Sequence, residues 1–308
     1  MRISVVVPTR NHSTDLEKCL RSIQKQTKES FEKILVAYSD GDVGKAAKKY
    51  GFRVVHDKKR TIGNAYYVGA NAAKGDIVVF IDDDSVAPKN LLKKIEYAFK
   101  KNPDIDLLGG DDRLPPNSSS FQEAAYQTDE AIRPKEKKSG NGAWKWLRAA
   151  CIAYRKESLK KCNFDKRLTG LQEPELHERM KKAGMKALYD PTIFVYHKRR
   201  NSLKGIWDQI YRNGKAKIDF IRLHPETISI YDVAPFVFII YSLLMMYLGY
   251  YFLWLTSIVF YFLLKTLIIS LKSDGVKYYL HLLPIVITRE IAYCFGILLG
   301  IFRTWGRL

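Results

Sequence analysis

The sequence has few cysteines, and they form no recognisable ligand or disulfide pattern. Its 308 residues contain only Cys19, Cys151, Cys162 and Cys294, without a Cys-x-x-Cys pair. Such scattered cysteines predict neither a disulfide framework nor a zinc site, and they favour a reducing compartment. The N-terminal stretch MRISVVVPTRN enters a strand-like run at once and is too short and polar for a secretory signal peptide.

Acidic residues are scarce relative to basic ones. The chain has 32 Asp and Glu against 51 Lys and Arg, a formal net charge of +19. Such an excess suits phosphorylated ligands, nucleic acid or an anionic membrane surface, and it is equally typical of a lysine-rich solvated surface. The charge alone does not choose among these partners.

Charged residues are absent from 233–264, although the preceding 232 residues are rich in them. At about 1.5 Å per residue, a single helix over 233–271 would measure roughly 58 Å, nearly twice a hydrocarbon core of about 30 Å. The stretch therefore predicts two membrane spans, at about 233–250 and 251–271, with a tight turn near Gly249.

A third apolar stretch, 278–303, carries Arg289 and Glu290 near its middle. It is either a third span with these two charges paired inside the bundle, or a re-entrant or interfacial helix. The predicted membrane domain is 231–308. Its flanking lysines and the basic N-terminal part predict a multi-pass protein whose N-terminal domain is cytoplasmic.

The first half alternates apolar runs with helical patterns. ISVVV (3–7), KILVA (33–37) and IVVFI (77–81) each precede a helical pattern, and the alternation resumes over 151–197. This predicts an α/β fold with a mostly parallel sheet, whose ligands bind at the carboxyl ends of the strands. The turn-rich segment 113–138 is interpreted as a loop region crossing the mouth of that site.

Residues 202–225 mix apolar and basic side chains at helical spacing. The pattern predicts a basic amphipathic helix, broken near Gly214, that lies on a membrane surface. The alternative is an ordinary helix covering the sheet.

Three consecutive carboxylates, Asp82, Asp83 and Asp84, follow the apolar run IVVFI. Because they repel one another, they predict a divalent cation, Mn²⁺ or Mg²⁺, which would also bridge phosphate oxygens. The alternative is that Asp84 or Ser85 caps a helix starting near Pro88. A phosphate loop is not favoured, since GDVGKA (41–46) has the wrong spacing for one.

Five ordered motifs resemble those of family 2 glycosyltransferases with the GT-A fold. They are VVVPTRN (5–11), NAYYVGANAAKGDIVVFIDDD (64–84), the FD of CNFDKRL (162–168), QEPELHERMKKAG (172–184) and YDPTIFVYH (189–197). The resemblance implies a Rossmann-like GT-A catalytic domain over 1–225, followed by transmembrane helices similar to those of lipid-directed members.

The resemblance also implies roles in binding the donor. Asp82 and Asp84 would hold the metal, with His197 as a third ligand or, equally, a structural histidine. The remaining implied donor-binding residues are Pro8, Thr9, Arg10, Asp40, Asp42 and Asp83.

The resemblance implies that Glu173 stands at the general-base position, where the family more often has Asp, and Glu175 is the second choice. Glu173 would accept the proton of an acceptor hydroxyl that attacks the anomeric carbon opposite the leaving group, so the product would be inverted. The alternative is that both glutamates only favour the helix N-terminus.

Acceptor and phosphate roles are implied for Arg199, Arg200, Gln209 and Arg212. Gln209 and Arg212 resemble the QxxR part of QxxRW, but Asn213 stands at the Trp position, which argues against processive synthesis. Trp144 and Trp146 either meet the acceptor at the membrane interface or pack in the core.

Two departures from the family concern the nucleotide. AYSDGD (37–42) replaces the usual Asp-rich turn, and Tyr66 and Tyr67 stand where an Arg-Asn pair is common. The choice between a UDP- and a GDP-sugar therefore stays open. The predicted function is metal-dependent, non-processive sugar transfer to a membrane lipid-linked acceptor, without a nucleic acid partner. The alternative is a non-catalytic membrane module that recruits other proteins.

Overall fold

A computed structural model describes residues 1–38, 41–131, 138–139, 143–147, 150–273 and 276–302. They belong to two compact units: unit 1 is Met1–Pro115 with Pro134–Lys198, and unit 2 is Pro116–Arg133 with Arg199–Leu308. The domain boundaries predicted at 225 and 231 stay predictions.

The sheet lies in unit 1, and nine strands occur in the described part of the chain. They are β1 Ile3–Thr9, β2 Glu32–Ala37, β3 Arg53–His56, β4 Ile77–Ile81, β5 Ser85–Val86, β6 Leu107–Arg113, β7 Lys138–Ser139, β8 Cys151–Arg155 and β9 Ala187–His197. Their order is β3-β2-β1-β4-β8-β6-β9-β5, and β7 pairs with β9.

The sheet is mixed. Strands β3, β2, β1 and β4 are parallel, β8 runs antiparallel between β4 and β6, and β6 is parallel to β9. The α/β class is confirmed, together with the predicted strands at 3–7, 33–37 and 77–81.

The described helices alternate with the strands in unit 1 and dominate unit 2. They are α1 Thr14–Gln24, α2 Gly41–Tyr50, α3 Ile62–Ala72, α4 Leu91–Lys101, α5 Ser120–Glu130, α6 Lys156–Lys161, α7 Gln172–Lys182, α8 Leu203–Leu223, α9 Ile230–Tyr247, α10 Tyr251–Lys272 and α11 Tyr279–Ile301.

Apolar cores cover both faces of the sheet. Val5 and Val7 of β1 face a core that also contains side chains of α1, α2 and α4, whereas Val6 faces one that includes side chains of α3 and α7. Successive residues of a strand point to opposite faces, so an uninterrupted apolar run is what a strand buried on both sides requires.

The loop prediction for 113–138 is wrong over residues 120–130, which form α5. Ser119 caps this helix and forms a capping box with Gln122. Ala124 and Ala125 are buried on its apolar side. The cap and the spacing were present in the sequence, but the flanking proline- and charge-rich residues obscured them.

The predicted break near Gly214 is also wrong, because α8 is continuous from Leu203 to Leu223. Gly214 instead permits a close approach, since a methyl group there would lie 2.7 Å from the carbonyl oxygen of Tyr293 in α11. Gly214 therefore marks the place where α8 contacts α11, and it does not end a helix.

The apolar tail forms α9, α10 and α11. Gly249, with φ +76°, makes the turn between α9 and α10, as predicted. The segments Ile230–Tyr247, Tyr251–Lys272 and Val276–Ile301 are long and apolar enough to cross a membrane. Large apolar side chains of α9 and α10, such as Ile240 and Phe252, are exposed.

Candidate active site

The carboxyl ends of three strands carry the polar residues that the sequence singled out. Parallel β1 and β4 pair Val6 with Phe80, so both strands end at the same edge of the sheet. There the Thr9 hydroxyl donates to Asp83 Oδ2 at 2.5 Å. Thr9 and Asp83, both expected to bind the donor, are therefore in contact.

Asp82, Asp84 and His197 form a cluster that could hold a metal ion. One ligand atom from each lies within 4.8 Å of the others, and His197 Nε2 is 3.2 Å from Asp84 Oδ1. The short strand β5 produces this proximity, because it pairs Ser85 with His197 immediately after the carboxylates.

The environment of the cluster favours a bound cation. Burial raises the pKa of Asp82; His197 opposes this shift, and the negative charge of Asp84 adds to it. A buried carboxylate beside another carboxylate gains most from a divalent cation. Two carboxylates and an imidazole fit Mn²⁺ or Mg²⁺.

The capping alternative for this cluster is wrong. Helix α4 begins at Leu91, and its N-cap is Asn90, which makes no side-chain capping bond. Asp84 and Ser85 therefore do not cap it.

Glu173 lies in the first turn of α7 and is 5% exposed. Burial, and then the charge of Asp82, raise its pKa to about 7. Leu171, which precedes the helix, adopts the left-handed conformation at φ +54°, a backbone choice often found at functional sites. A carboxyl group with a pKa near neutrality suits general-base catalysis.

Tyr66 lies between the proposed base and the metal cluster. Its hydroxyl donates to Asp82 Oδ1 at 3.1 Å, and burial, followed by the charges of Asp82 and Glu173, raises its pKa. The ring is fixed by stacking on Phe80, with centroids 4.7 Å apart. The sequence marked Tyr66 only as a departure from the family, and its role was missed.

Glu175 has a different environment from Glu173. Both of its carboxylate oxygens accept bonds from Arg179, at 2.7 Å each. Arg179 also donates to the carbonyl oxygen of Asn163. This bidentate pair ties α7 to the preceding loop, and Glu173 remains the better candidate for the base.

Asp112 was also missed by sequence reasoning. It ends the buried part of β6, and its Oδ2 lies 3.3 Å from His197 Nδ1. The segment LLGGDD (107–112) has the same form as FIDDD, an apolar strand followed by carboxylates. That shared form was the signal that could have revealed Asp112.

The structure gives less information about the remaining donor-binding candidates. Pro8 is buried in β1 and Arg10 is exposed beyond it. Asp42 lies in the first turn of α2 and pairs with Lys45 at 2.9 Å. Asp40 lies outside the described residues, so its role and those of Pro8, Arg10 and Asp42 stay predictions.

Acceptor candidates divide between the units. Trp144 is buried in unit 1, and Trp146 packs against the same core, as the second interpretation of these residues expects. In unit 2, Arg199 pairs with Asp129 of α5 at 3.3 Å, Arg200 precedes α8, and Gln209 and Arg212 lie on α8. Their acceptor roles stay predictions.

Known proteins are similar to this chain in sequence and in fold. An uncharacterized glycosyltransferase, EpsJ, from Bacillus subtilis is 23% identical over 66% of this chain and 63% of its own length. A dolichol-phosphate mannosyltransferase from Pyrococcus furiosus is 27% identical over 35% of this chain and 32% of its own length. The chain thus spans between about a third and two thirds of these relatives.

A solved structure shares the fold. A mannosyltransferase from Pyrobaculum calidifontis, in complex with GDP-Man and Mn²⁺, matches with a TM-score of 0.57 and 16% identity, over 74% of this chain and 65% of its own. At that identity the match supports the GT-A-like fold alone. The family model described as glycosyl transferase family 2 matches residues 4–162, just over half of the chain. The protein therefore belongs to glycosyl transferase family 2.

Proposed function

We propose that the protein transfers a sugar, with inversion and one residue at a time, from a UDP- or GDP-sugar to a membrane lipid-linked acceptor at the cytoplasmic face. The acceptor class is a polyprenyl phosphate or a lipid-linked saccharide. The observation that carries the proposal is the single constellation of Asp82, Asp84, His197 and Glu173, in which the groups for a cation and for a proton adjoin one another.

Asp82, Asp84 and His197 would hold Mn²⁺ or Mg²⁺. When bound, the cation supplies positive charge that neutralises the departing nucleoside diphosphate. Thr9 orients Asp83 through its 2.5 Å hydrogen bond, which leaves the middle carboxylate fixed at the donor edge of the sheet.

Glu173 performs the proton transfer in this proposal. It accepts the proton of the acceptor hydroxyl as that oxygen attacks the anomeric carbon, opposite the leaving group. A pKa of about 7 keeps a useful fraction ionised near neutral pH. If the acceptor is a phosphate, it is already ionised and needs less help from the base.

The lipid acceptor is supported by the tail and by one relative. Exposed apolar side chains cover α9 and α10, and such surfaces require lipid or a partner. The Pyrococcus relative is named for dolichol phosphate. We assign α9 and α10 as membrane spans and place unit 1 on the cytoplasmic side, because Lys272 and Lys277 flank the returning end of the pair.

Calorimetric titration of UDP- and GDP-sugars into the full chain in detergent tests the donor site. We expect binding with Mn²⁺ that is lost with a chelator and in Asp84→Ala, and retained in the control Asp76→Ala. Asp76 directly precedes the same strand but is half exposed and pairs with Arg2.

An activity assay tests the proposed reaction. It offers polyprenyl phosphate and lipid-linked saccharides as acceptors, and NMR then determines the anomeric configuration of the product. A product with the anomeric configuration of the donor would exclude inversion. Metal-dependent donor binding without transfer or hydrolysis, together with normal cellular function of Glu173→Gln, would instead favour the non-catalytic recruiting module.

A further inference from the structure

Helices α8 and α11 lie side by side in unit 2 and run in the same direction. Near their starts, Ile206 shares an apolar cluster with Leu282 and Ile285. Near their ends, the Arg222 guanidinium donates to the carbonyl oxygen of Ile301 at 3.0 Å. The contact thus extends over about 16 residues of each helix, roughly 24 Å.

Glycines bring the two backbones close along this contact. A methyl group on Gly300 would lie 2.8 Å from Ile218 Cγ1, and one on Gly214 would lie 2.7 Å from the carbonyl oxygen of Tyr293. Two helices in such contact along their length share the same depth relative to a membrane.

That shared depth decides where α11 lies. Helix α8 carries seven charged residues in 21: Lys204, Asp208, Arg212, Lys215, Lys217, Asp219 and Arg222. Each charge costs several kcal/mol at the centre of a bilayer, so α8 does not cross one. Since α11 runs alongside α8, it does not cross one either, despite its apolar composition.

We infer that α8 and α11 together lie along the membrane surface and bind anionic lipid, and that α9 and α10 alone form the spans. Five of the seven charges on α8 are positive; although Lys204, Lys217 and Arg222 each pair with an aspartate, the helix keeps a net charge of +3 (five minus two), which complements anionic headgroups. On α11, Ile291, Phe295 and Leu299 are exposed at helical spacing and form an apolar stripe. This stripe suits insertion among acyl chains at the interface.

Charged partners of α11 agree with this placement. Arg289 donates to the Thr128 hydroxyl at 3.0 Å and lies 3.4 Å from Asp129, both in the polar helix α5. We therefore assign the third apolar stretch, 278–303, as an interfacial helix.

Single cysteines test this placement, which depends on the proposed membrane spans. In sealed vesicles, an impermeant maleimide is added before and after permeabilisation to Lys74→Cys in unit 1, Tyr250→Cys in the α9–α10 turn, Lys272→Cys and Phe302→Cys. The unsubstituted chain gives the background from its native cysteines.

We expect Lys74→Cys, Lys272→Cys and Phe302→Cys to react from one side and Tyr250→Cys from the other. A Phe302→Cys thiol that reacts with the Tyr250→Cys side, or stays unreactive after permeabilisation, overturns the inference for α11. If Tyr250→Cys reacts from the same side as Lys74→Cys, the spans themselves are wrong and the inference falls with them.

A separate observation concerns Asp112 and His197. The two imidazole nitrogens of His197 face different carboxylates: Nε2 is 3.2 Å from Asp84 Oδ1, and Nδ1 is 3.3 Å from Asp112 Oδ2. Strands β6 and β9 are parallel and pair Asp112 with Val195. His197, two residues further along β9, therefore points to the same face of the sheet as Val195.

We propose that Asp112 is a positioning residue for the metal cluster. It accepts the Nδ1 hydrogen of His197, which fixes the tautomer and leaves the Nε2 lone pair for the cation. Asp112 is 5% exposed, so the interaction is shielded from water. Carboxylates that orient a metal-bound histidine in this way typically change metal affinity about 10–100-fold.

The affinity of the full chain for Mn²⁺ alone, measured by electron paramagnetic resonance, tests this role. Asp112→Asn is expected to weaken binding about 10–100-fold, and to have no further effect in a His197→Ala background. Asp111→Asn is the matched control, since Asp111 is equally buried but contacts Arg113 and the Asp112 backbone.

Unchanged affinity in Asp112→Asn, or the same loss in both backgrounds, overturns the role of Asp112. If Asp112→Asn does not fold, Asp112→Ser enters the same comparison. The metal site of the proposed function is judged separately by Asp84→Ala, so the two ideas can fail independently.

Discussion

Carboxylates meet apolar surroundings in both units, but their neighbours differ. In unit 2, Glu290 Oε1 lies 2.6 Å from Lys265 Nζ, and Asp129 lies near the Arg289 guanidinium. In unit 1, burial raises the pKa of Asp82 and of Glu173, and like charges add to both shifts: Asp84 acts on Asp82, and Asp82 acts on Glu173.

The difference separates structural from functional charge. A carboxylate matched to a cationic side chain holds two elements together, whereas crowded carboxylates weaken the fold unless a cation or proton is added. We therefore expect the unit 1 cluster to be the reactive part of the molecule, whereas the unit 2 pairs hold helices in place.

Removing a carboxylate from the cluster should give the largest effect. In Asp84→Ala we expect sugar transfer to fall by about 1,000-fold or more, since charge stabilisation by a cation is worth several kcal/mol. The measurement is kcat/KM for the nucleotide sugar, with saturating Mn²⁺. Asp76→Ala should transfer at the rate of the unsubstituted chain, and equal losses in both variants would show that strand β4, rather than the cation site, had been damaged.

Replacing the base should have the next largest effect. Glu173→Gln is expected to lower kcat about 10²–10⁴-fold, the usual contribution of a general base, while the KM for the donor stays nearly constant. The activity of the unsubstituted chain should rise with pH through about 7, the pKa of Glu173. The control is Glu178→Gln, on the same helix. A rate that Glu173→Gln leaves intact would remove the base role.

Glu173→Gln should also make the fold more stable than that of the unsubstituted chain at high pH. The pKa of Glu173 is about 7 in the folded protein against 4.5 in its ordinary state. Between these values the folded state holds a proton that the unfolded state has released, so the free energy of unfolding falls as pH rises through this window.

A glutamine at this position does not titrate, so it avoids this loss of stability. With chelator present, the free energy of unfolding of Glu173→Gln minus that of the unsubstituted chain should therefore increase by up to roughly 3 kcal/mol between about pH 4 and about pH 8. Denaturant titrations at the two pH values measure this gain. If the difference in the free energy of unfolding between the two proteins is the same at both pH values, then the fold does not raise the pKa of Glu173.

The sequence predicted the metal cluster more fully than it predicted its supports. Asp82, Asp84 and His197 were recognisable because strand ends and an ordered set of motifs marked them. Tyr66 and Asp112 contact residues in distant segments, and these partners lie 16 and 85 residues away. Pattern along the chain does not specify such pairings, just as it did not reveal that Gly214 meets α11.

Tyr66 offers a smaller test of the link between metal ligand and base. Tyr66→Phe keeps the ring stacked on Phe80 but removes the hydroxyl that donates to Asp82 and whose pKa responds to the charge of Glu173. A hydrogen bond to a charged group is worth about 1.5–3 kcal/mol, so we expect kcat to fall roughly 10–100-fold with the fold retained. Tyr154→Phe is the control, since its hydroxyl meets His177 instead. Equal effects of both variants would make Tyr66 only part of the aromatic core.

The smallest effect should come from the matched pair of unit 2. Lys265 and Glu290 are each about a third exposed in the absence of lipid, and pairs of this exposure contribute about 0–1 kcal/mol in water. Lys265→Met should therefore leave transfer to a soluble acceptor analogue unchanged and lower the melting temperature in detergent only slightly. In bilayers the loss should be greater, because Glu290 then faces the proposed span α10 without Lys265, at the edge of a medium of low dielectric. Restoring a neutral partner in Lys265→Met/Glu290→Gln should recover the melting temperature. If the double variant is no more stable than Lys265→Met, then the charge of Glu290 is not stabilised by Lys265, and the contrast drawn here between unit 2 and the carboxylate cluster is wrong.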